Sequence, residues 1–264
     1  MEKTYKPTSE IDVLPVHVPI PNMGFLPVNA FVLKGSEPVL IDTGTTEESD
    51  NFMKALEAVI DIRDLKWIWL THDDADHTGS IRKVVEAAPD ARLVANALTI
   101  LRLNTVWPVP MDRVYWLNPG GSINAGDRTL TAIRPPLFDN PAAIGIYDNK
   151  SEVFFSVDCF GGIVPKPLEN VDELTEEQLA FSMLTWAGAD SPWIHMVDRK
   201  KFSQTLDKIR KFAPKMILSS HMPQAQGKTK LFLDILEKVP SSDPFVAPDQ
   251  VALEQLLKQM RGNG

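Results

Sequence analysis

His72, Asp73, Asp74, Asp76 and His77 put two imidazoles and three carboxylates within six residues of one another. Imidazole and carboxylate donors together suit zinc, iron or manganese, whereas calcium takes oxygen alone and softer ions take thiolate. The plain alternative is a solvated acidic turn with two incidental histidines.

The surrounding pattern shows how such groups would be held. Trp67 to Leu70 form an unbroken apolar run, as in a strand buried on both faces, and Ile81, Val84, Val85 and Ala88 repeat at helical spacing. The charged residues therefore lie on a strand-to-helix turn, between two rigid supports. Two later apolar runs also end in chemistry: Val153 to Val157 delivers Asp158, and Met216 to Leu218 delivers Ser219, Ser220 and His221. Upstream, strands over residues 11–43 end in Asp42, Thr43 and Gly44, and Thr45 with Glu48 forms a capping box for a helix carrying Phe52, Ala55, Leu56 and Val59. Arg92 to Ala95 reads as a strand, Ala97 to Leu103 as a short helix, and Asn104 to Asp112 as a proline-broken loop. Trp107 and Trp116 either line a pocket or pack the core. Thr175 and Gln178 cap another helix, with Leu179, Met183 and Trp186 apolar, and a further helix carries Phe202, Leu206 and Ile209. His17 and His195 read as packing histidines. Pro240, Pro244 and Pro248 form a linker before a helix with Leu253, Leu256, Leu257 and Met260 on one face; that helix packs on the domain or pairs with a second subunit.

At 264 residues and 44% hydrophobic content, the chain can bury one substantial core. Its formal charge of −8 argues against nucleic acid or an anionic membrane as partner. No run is long and apolar enough for a membrane span, and the polar start Met1, Glu2, Lys3, Thr4, Tyr5 is unlike a signal peptide, so a cytoplasmic location is expected. The lone Cys159 has no internal disulfide partner, which agrees with a reducing compartment.

Thr71 to His77, T-H-D-D-A-D-H, resembles the His-x-His-x-Asp-His signature of the metallo-β-lactamase superfamily, matching at His72, Asp76 and His77. Asp74 replaces the usual second histidine and resembles the flavodiiron branch, which has glutamate there. Asp158-Cys159-Phe160-Gly161 is similar to that branch's segment carrying a metal-bridging aspartate, and Ser220-His221-Met222-Pro223 to the superfamily's last ligand segment. The branch's remaining histidine falls at Phe138, after Pro135, Pro136 and Leu137; either Asp139 substitutes by a one-residue shift or the position is empty.

The resemblance spans roughly residues 10 to 235 and implies an αββα sandwich of two mixed sheets with metals along one edge. The expected division is residues 1–240 as that domain and 241–264 as linker and amphipathic helix. Carried over residue by residue, one metal would have His72, Asp74 and Asp158, and the second Asp76, His77, His221 and Asp158, with Asp42 hydrogen-bonded behind them. Asp76 and Asp158 would be the catalytic carboxylates. Three carboxylates around two divalent ions favour iron or manganese and their higher oxidation states, and so redox chemistry; iron is the favoured ion, with zinc or manganese as the alternatives. The resemblance implies a di-iron protein that binds or reduces O2 or NO, with electrons from a separate donor protein. Two alternatives stay open: a metal-dependent hydrolase of an ester, lactone or amide, with Asp76 orienting the attacking hydroxide, and a degenerate site kept for binding or sensing.

Overall fold

The computed structural model describes residues 2–262, with side chains to residue 258. Two sheets face each other. In the first, β1 (Tyr5–Thr8), β2 (Ile11–Ile20), β3 (Gly24–Leu33), β4 (Val39–Ile41), β5 (Trp67–Trp69), β6 (Arg92–Ala95) and β7 (Val114–Trp116) lie in chain order. The pairs β1 to β4 are antiparallel and β4 to β7 parallel. The second sheet holds β8 (Ser122–Asn124), β9 (Thr129–Ile133), β10 (Gly145–Asp148), β11 (Val153–Phe155), β12 (Met216–Leu218) and β13 (Ala225–Gln226), with β11 and β12 parallel.

Period-two alternation sorts the apolar side chains into layers. Along β5, Trp67 and Trp69 face the space between the sheets, where they meet Phe31, Val153 and Phe155, while Ile68 and Leu70 turn outward. Phe31 and Phe155 meet edge to face across that space at 5.3 Å. The outward face of the first sheet is covered by α1 (Ser49–Val59), α3 (Ile81–Ala87) and α4 (Ala97–Leu103) through Phe52, Leu56, Val84 and Ile100. The second sheet is covered by α5 (Glu176–Asp190), α6 (Arg199–Phe212) and α7 (Thr229–Leu236) through Met183, Leu206 and Phe232. Helix, sheet, sheet and helix are the four layers expected from the sequence. At the end of β10, Arg128 donates to Asp148 at 2.8 Å and to Glu10 and Lys34 of the first sheet, so a buried ion pair joins the sheets there.

Several local expectations change. Asp74 is the N-cap of a four-residue helix, α2 (Ala75–Thr78), so the metal motif is itself partly helical. Helix α1 begins at Ser49 with Glu48 as N-cap; the Thr45 hydroxyl accepts from the Glu48 backbone N–H, and the capping box expected there does not form. The box at Thr175 and Gln178 does form. Strand β11 ends at Phe155, because Val157 takes φ 60° and turns the chain before Asp158. Trp107 packs in the outer core and Trp116 is exposed, so neither lines the site described below. His17 in β2 faces Glu2, and His195 packs against Gly188; both lie apart from the metal motif.

On the apolar face of the C-terminal helix α8 (Gln250–Gly262), Leu253 is 46% and Leu257 40% exposed, while Leu256 is partly buried. The Met260 side chain lies outside the described residues. No helix among the described residues is long and apolar enough to cross a membrane.

Candidate metal centre

The cluster sits where strands end: His72 to His77 after β5, Asp158 after β11 and His221 after β12. Ligand sites in open α/β sheets favour the carboxyl ends of strands. Asp158, 3% exposed, is the centre of the arrangement. Its Oδ1 lies 2.9 Å from His221 Nε2 and 3.1 Å from His77 Nε2, while Oδ2 lies 3.4 Å from His72 Nε2. Asp76 Oδ2 is 3.5 Å from both His77 Nε2 and His221 Nε2, and Asp74 Oδ2 is 3.6 Å from His72 Nε2. One carboxylate thus faces two groups of donors with different oxygens.

Each imidazole is aimed by a partner on its other nitrogen. His77 Nδ1 lies 2.8 Å from Asp42 Oδ2, and His221 Nδ1 donates to the Pro27 carbonyl at 2.7 Å. His72 Nδ1 is 3.1 Å from the Thr71 hydroxyl, which itself lies 2.8 Å from Asp42 Oδ2. A proton on each Nδ1 leaves Nε2 with its lone pair toward the cluster, the tautomer a metal ligand needs. Asp42 holds φ 58° and also accepts from the Thr71 backbone N–H at 2.8 Å.

Some of the supports carry little sequence signal. Asn29, buried in β3, donates to the Ser219 and Met222 carbonyls at 3.1 and 3.0 Å, so the first sheet grips the His221 turn. Asn140 donates to Asp73 and Asp74, and Arg102 pairs with Asp73 at 3.1 Å, so Asp73 has a structural partner of its own. Trp186 donates to the Asp158 carbonyl at 3.1 Å and packs at a tilt against His221, ring centres 4.7 Å apart, closing that side of the cluster. These are polar or aromatic residues with ordinary neighbours in sequence, so only the fold reveals them.

Phe138 does not face the cluster; it packs on Trp193 at 5.3 Å and under Arg134 at 5.0 Å. Its neighbour Asp139 does, forming a group with His72 and Asp74 in which one donor atom of each lies within 4.8 Å of the others. A second such group joins Asp139 and Asp158 to Asp190, the last residue of α5 and absent from the sequence reading. Cys159 belongs to none of these groups; it is buried among apolar residues, and that burial pushes its thiol up.

The electrostatics follow from this crowding. Burial opposes charge on His77, but Asp158 and Asp42 outweigh it and hold its pKa well above the ordinary value. His221 and His72 are raised for the same reason, against burial, chiefly by Asp158. Asp158 is held well below the usual carboxylate range: burial would raise it, and the charges on His72 and His77 prevail. Hydrogen bonding to His72 lowers Asp74. Burial, and then the charge of Asp158, pushes Asp139 up to about 7 and Asp190 to about 6. Six carboxylates, of Asp42, Asp74, Asp76, Asp139, Asp158 and Asp190, thus crowd about three imidazoles.

The residues fit metal ions. Asp158 Oδ1 is buried and makes no hydrogen bond among the described residues, though two imidazole nitrogens stand about it. A cation between these donors would satisfy the oxygen and the nitrogen lone pairs together.

Comparison with known proteins agrees with this geometry. A stretch of 133 residues is 30% identical to an uncharacterized protein of Methanocaldococcus jannaschii, covering 50% of this chain and 34% of that one. A type A flavoprotein of Rhodobacter capsulatus is 32% identical over 136 residues, 50% of this chain and 31% of that protein. An anaerobic nitric oxide reductase flavorubredoxin of Salmonella typhi is 27% identical over 134 residues, 50% of this chain and 28% of that protein. The matched region spans about a third or less of each relative's own length. The flavodiiron protein of Giardia intestinalis superposes with a TM-score of 0.76 at 17% identity, over 91% of this chain and 60% of that one. A putative diflavin flavoprotein fragment from Nostoc gives 0.72 at 14%, over 90% of this chain and 97% of that one. These structures share the fold. The family model described as ODP family beta lactamase matches residues 26–222, well over half of the chain, and the chain belongs to that family.

Proposed function

We propose that this chain binds two iron ions in the cluster around Asp158 and reduces O2 or NO with electrons from a separate donor protein. The observation that carries the reading is the division of Asp158: Oδ1 faces His77 and His221, and Oδ2 faces His72. A carboxylate placed in this way suits a bridge between two ions. Asp76, His77 and His221 would hold one ion, and His72, Asp74 and Asp139 the other, with Asp139 in place of the imidazole missing at Phe138. The named relatives support the redox sense, since they include a nitric oxide reductase and a flavodiiron protein.

Bound iron would supply one-electron chemistry toward O2 or NO. The chain's own contribution is to orient and to shield. Asp42, Thr71 and the Pro27 carbonyl fix the three ring planes, so the site needs little rearrangement when loaded. Trp186 lies across His221 and keeps water from that side. Asp139 is exposed at its outer rim, and Asp190 is only partly buried, so these two carboxyls mark the open side by which a small substrate and protons would enter.

The test is metal content and visible spectrum of protein purified from unsupplemented medium, followed by gas consumption. Two irons per chain, and O2 or NO consumed by the reduced iron form but not by the zinc form, are expected. Colourless zinc protein that consumes neither gas but cleaves esters or lactones would replace this reading with hydrolysis.

A further inference from the structure

Phe138 and Trp193 form one wall of a second cavity, of about 430 Å³, on the outer side of the segment that carries Asp139. Arg134, Lys201 and Lys208 line it as well, with Asp198 the single carboxylate. A concentration of cations on a chain of net charge −8 already departs from the surface as a whole. The state of Arg134 sharpens this. The guanidinium is partly buried, lies 5.0 Å over the Phe138 ring and gives one hydrogen bond, to the Ala143 carbonyl.

Among the described residues, no carboxylate lies within ion-pair distance of Arg134, Lys201 or Lys208. Asp198 does not serve them, since its carboxylate caps α6 by accepting from the Lys201 backbone N–H at 2.9 Å. A guanidinium carries five N–H donors in a planar fork, and a charge withdrawn from water is costly until an anion meets it. Burial lowers the pKa of Arg134 with no opposing charge to restore it. Arg128, which is buried, meets Asp148 and Glu10, and the partly buried Arg113 gives its N–H groups to three backbone carbonyls, whereas Arg134 has the single Ala143 carbonyl.

The geometry points to a binding site for a planar aromatic anion, its ring against Phe138 and Trp193 and its carboxylate, sulfonate or phosphate on Arg134 with Lys201 and Lys208. The cavity volume falls within the range of roughly 300 to 1,000 Å³ usual for small-molecule sites, and one or two fused rings fill it. Aromatic faces supply stacking area, and the guanidinium plane both stacks and pairs bidentately with an oxyanion, so charge and shape select the same ligand class. The site shares a backbone segment with the metal centre: Trp193 donates to the Phe138 carbonyl at 2.9 Å, and the next residue is Asp139. It depends on no metal and is independent of the redox reading.

The test is fluorescence titration of the full chain with 2-naphthoate, alongside neutral 2-naphthalenemethanol and cationic 2-naphthylmethylammonium. Saturable one-to-one binding of naphthoate is expected, with the other two at least about tenfold weaker, as loss of a charged hydrogen-bonding partner usually costs. Arg134→Gln should weaken naphthoate by about tenfold or more, and Phe138→Ala should weaken it as well. Lys201→Gln with Lys208→Gln, both surface changes, gives a variant whose folding is not in question, and it should weaken binding about threefold to tenfold. Arg92→Gln removes a different arginine, stacked on Tyr115 at 4.8 Å, and should change nothing. Equal binding of all three probes, unchanged affinity in the double lysine variant, or no saturation at millimolar naphthoate would overturn the assignment.

Discussion

His77 Nδ1 and Asp42 Oδ2 stand 2.8 Å apart, both side chains within 2% of full burial, and the same carboxylate also takes the backbone N–H and the hydroxyl of Thr71. One residue at the end of β4 thereby aims a ring in α2 and, through Thr71, the ring of His72.

Asp42→Asn tests this relation with little backbone disturbance, because asparagine tolerates the left-handed conformation that Asp42 adopts. The amide can accept on one atom only, so His77 loses its charged partner. Metal affinity should fall by about 10 to 100-fold, the usual cost of such a change, with the metal-free protein destabilised by about 1 to 3 kcal/mol. Competition with a chelator and denaturant melts give the two readouts; unchanged affinity would release Asp42 from its orienting role.

Asp158→Ala should abolish binding of both ions, since each oxygen faces one side of the cluster. The fold should persist, because the Trp186 indole bonds the Asp158 backbone carbonyl and not its side chain. Elemental analysis with circular dichroism decides: two ions retained per folded chain would remove the bridging assignment.

Protons compete with metal here, and the direction is set by the shifts. His72, His77 and His221 are raised above 6.5, so their contribution to the stability of metal-free protein is full below that value and is lost as pH rises through the folded values. Asp158 is lowered below 3.8, so its contribution is present above that value and lost as pH falls. Metal needs neutral imidazole, so affinity should increase as pH rises above 6.5 through those raised values, with proton release. Calorimetry in buffers of different ionisation enthalpy measures the protons; affinity independent of pH would contradict the scheme.

The two ion positions should differ in strength, one having two imidazoles and the other only His72. Titration of metal-free protein with Fe(II) or Mn(II) should show a tight and a weak event, and Asp139→Ala should abolish or weaken the second. Phe138→His should not tighten it, because that side chain points to Arg134 and Trp193. A tighter weak event in Phe138→His would mean that the segment shifts to exchange the two side chains.

Gly79 closes the turn after α2, and a Cβ there would lie 2.1 Å from the Thr45 carbonyl carbon, inside the backbone. Gly79→Ala should therefore cost about 3 kcal/mol or more, at the upper end of overpacking penalties. The loss should appear as a lowered thermal midpoint even in metal-free protein.

Much of the candidate site was legible because its imidazoles and carboxylates cluster in sequence and follow apolar runs, as at Trp67 to Leu70 and Met216 to Leu218. The resemblance joined those segments; periodicity alone would have left Asp158 and His221 unrelated. Strands β1, β7 to β10 and β13 escaped notice; β1, β7 and β8 are mostly partly buried or exposed, so they carry no continuous apolar run of the kind that marks β5 and β12. Asn29, Asn140 and Asp190 were illegible for another reason. Each acts across a sequence separation of 28 residues or more, through a single polar group whose partner only the fold supplies. At Phe138 the sequence left two alternatives, substitution by Asp139 or an empty position, and only the fold turns Phe138 onto Trp193 and Asp139 toward His72 and Asp74.

The strands of each sheet come from one half of the chain, β1 to β7 before residue 117 and β8 to β13 after it. Asp42, His72, Asp76 and His77 therefore leave the ribosome with a nearly complete sheet of their own, while His221 arrives more than a hundred residues later. The donor set around Asp158 is complete only when the Ser219 to Met222 turn docks on Asn29, so on the proposed reading metal capture would be the closing event of assembly and a check that both halves have been made.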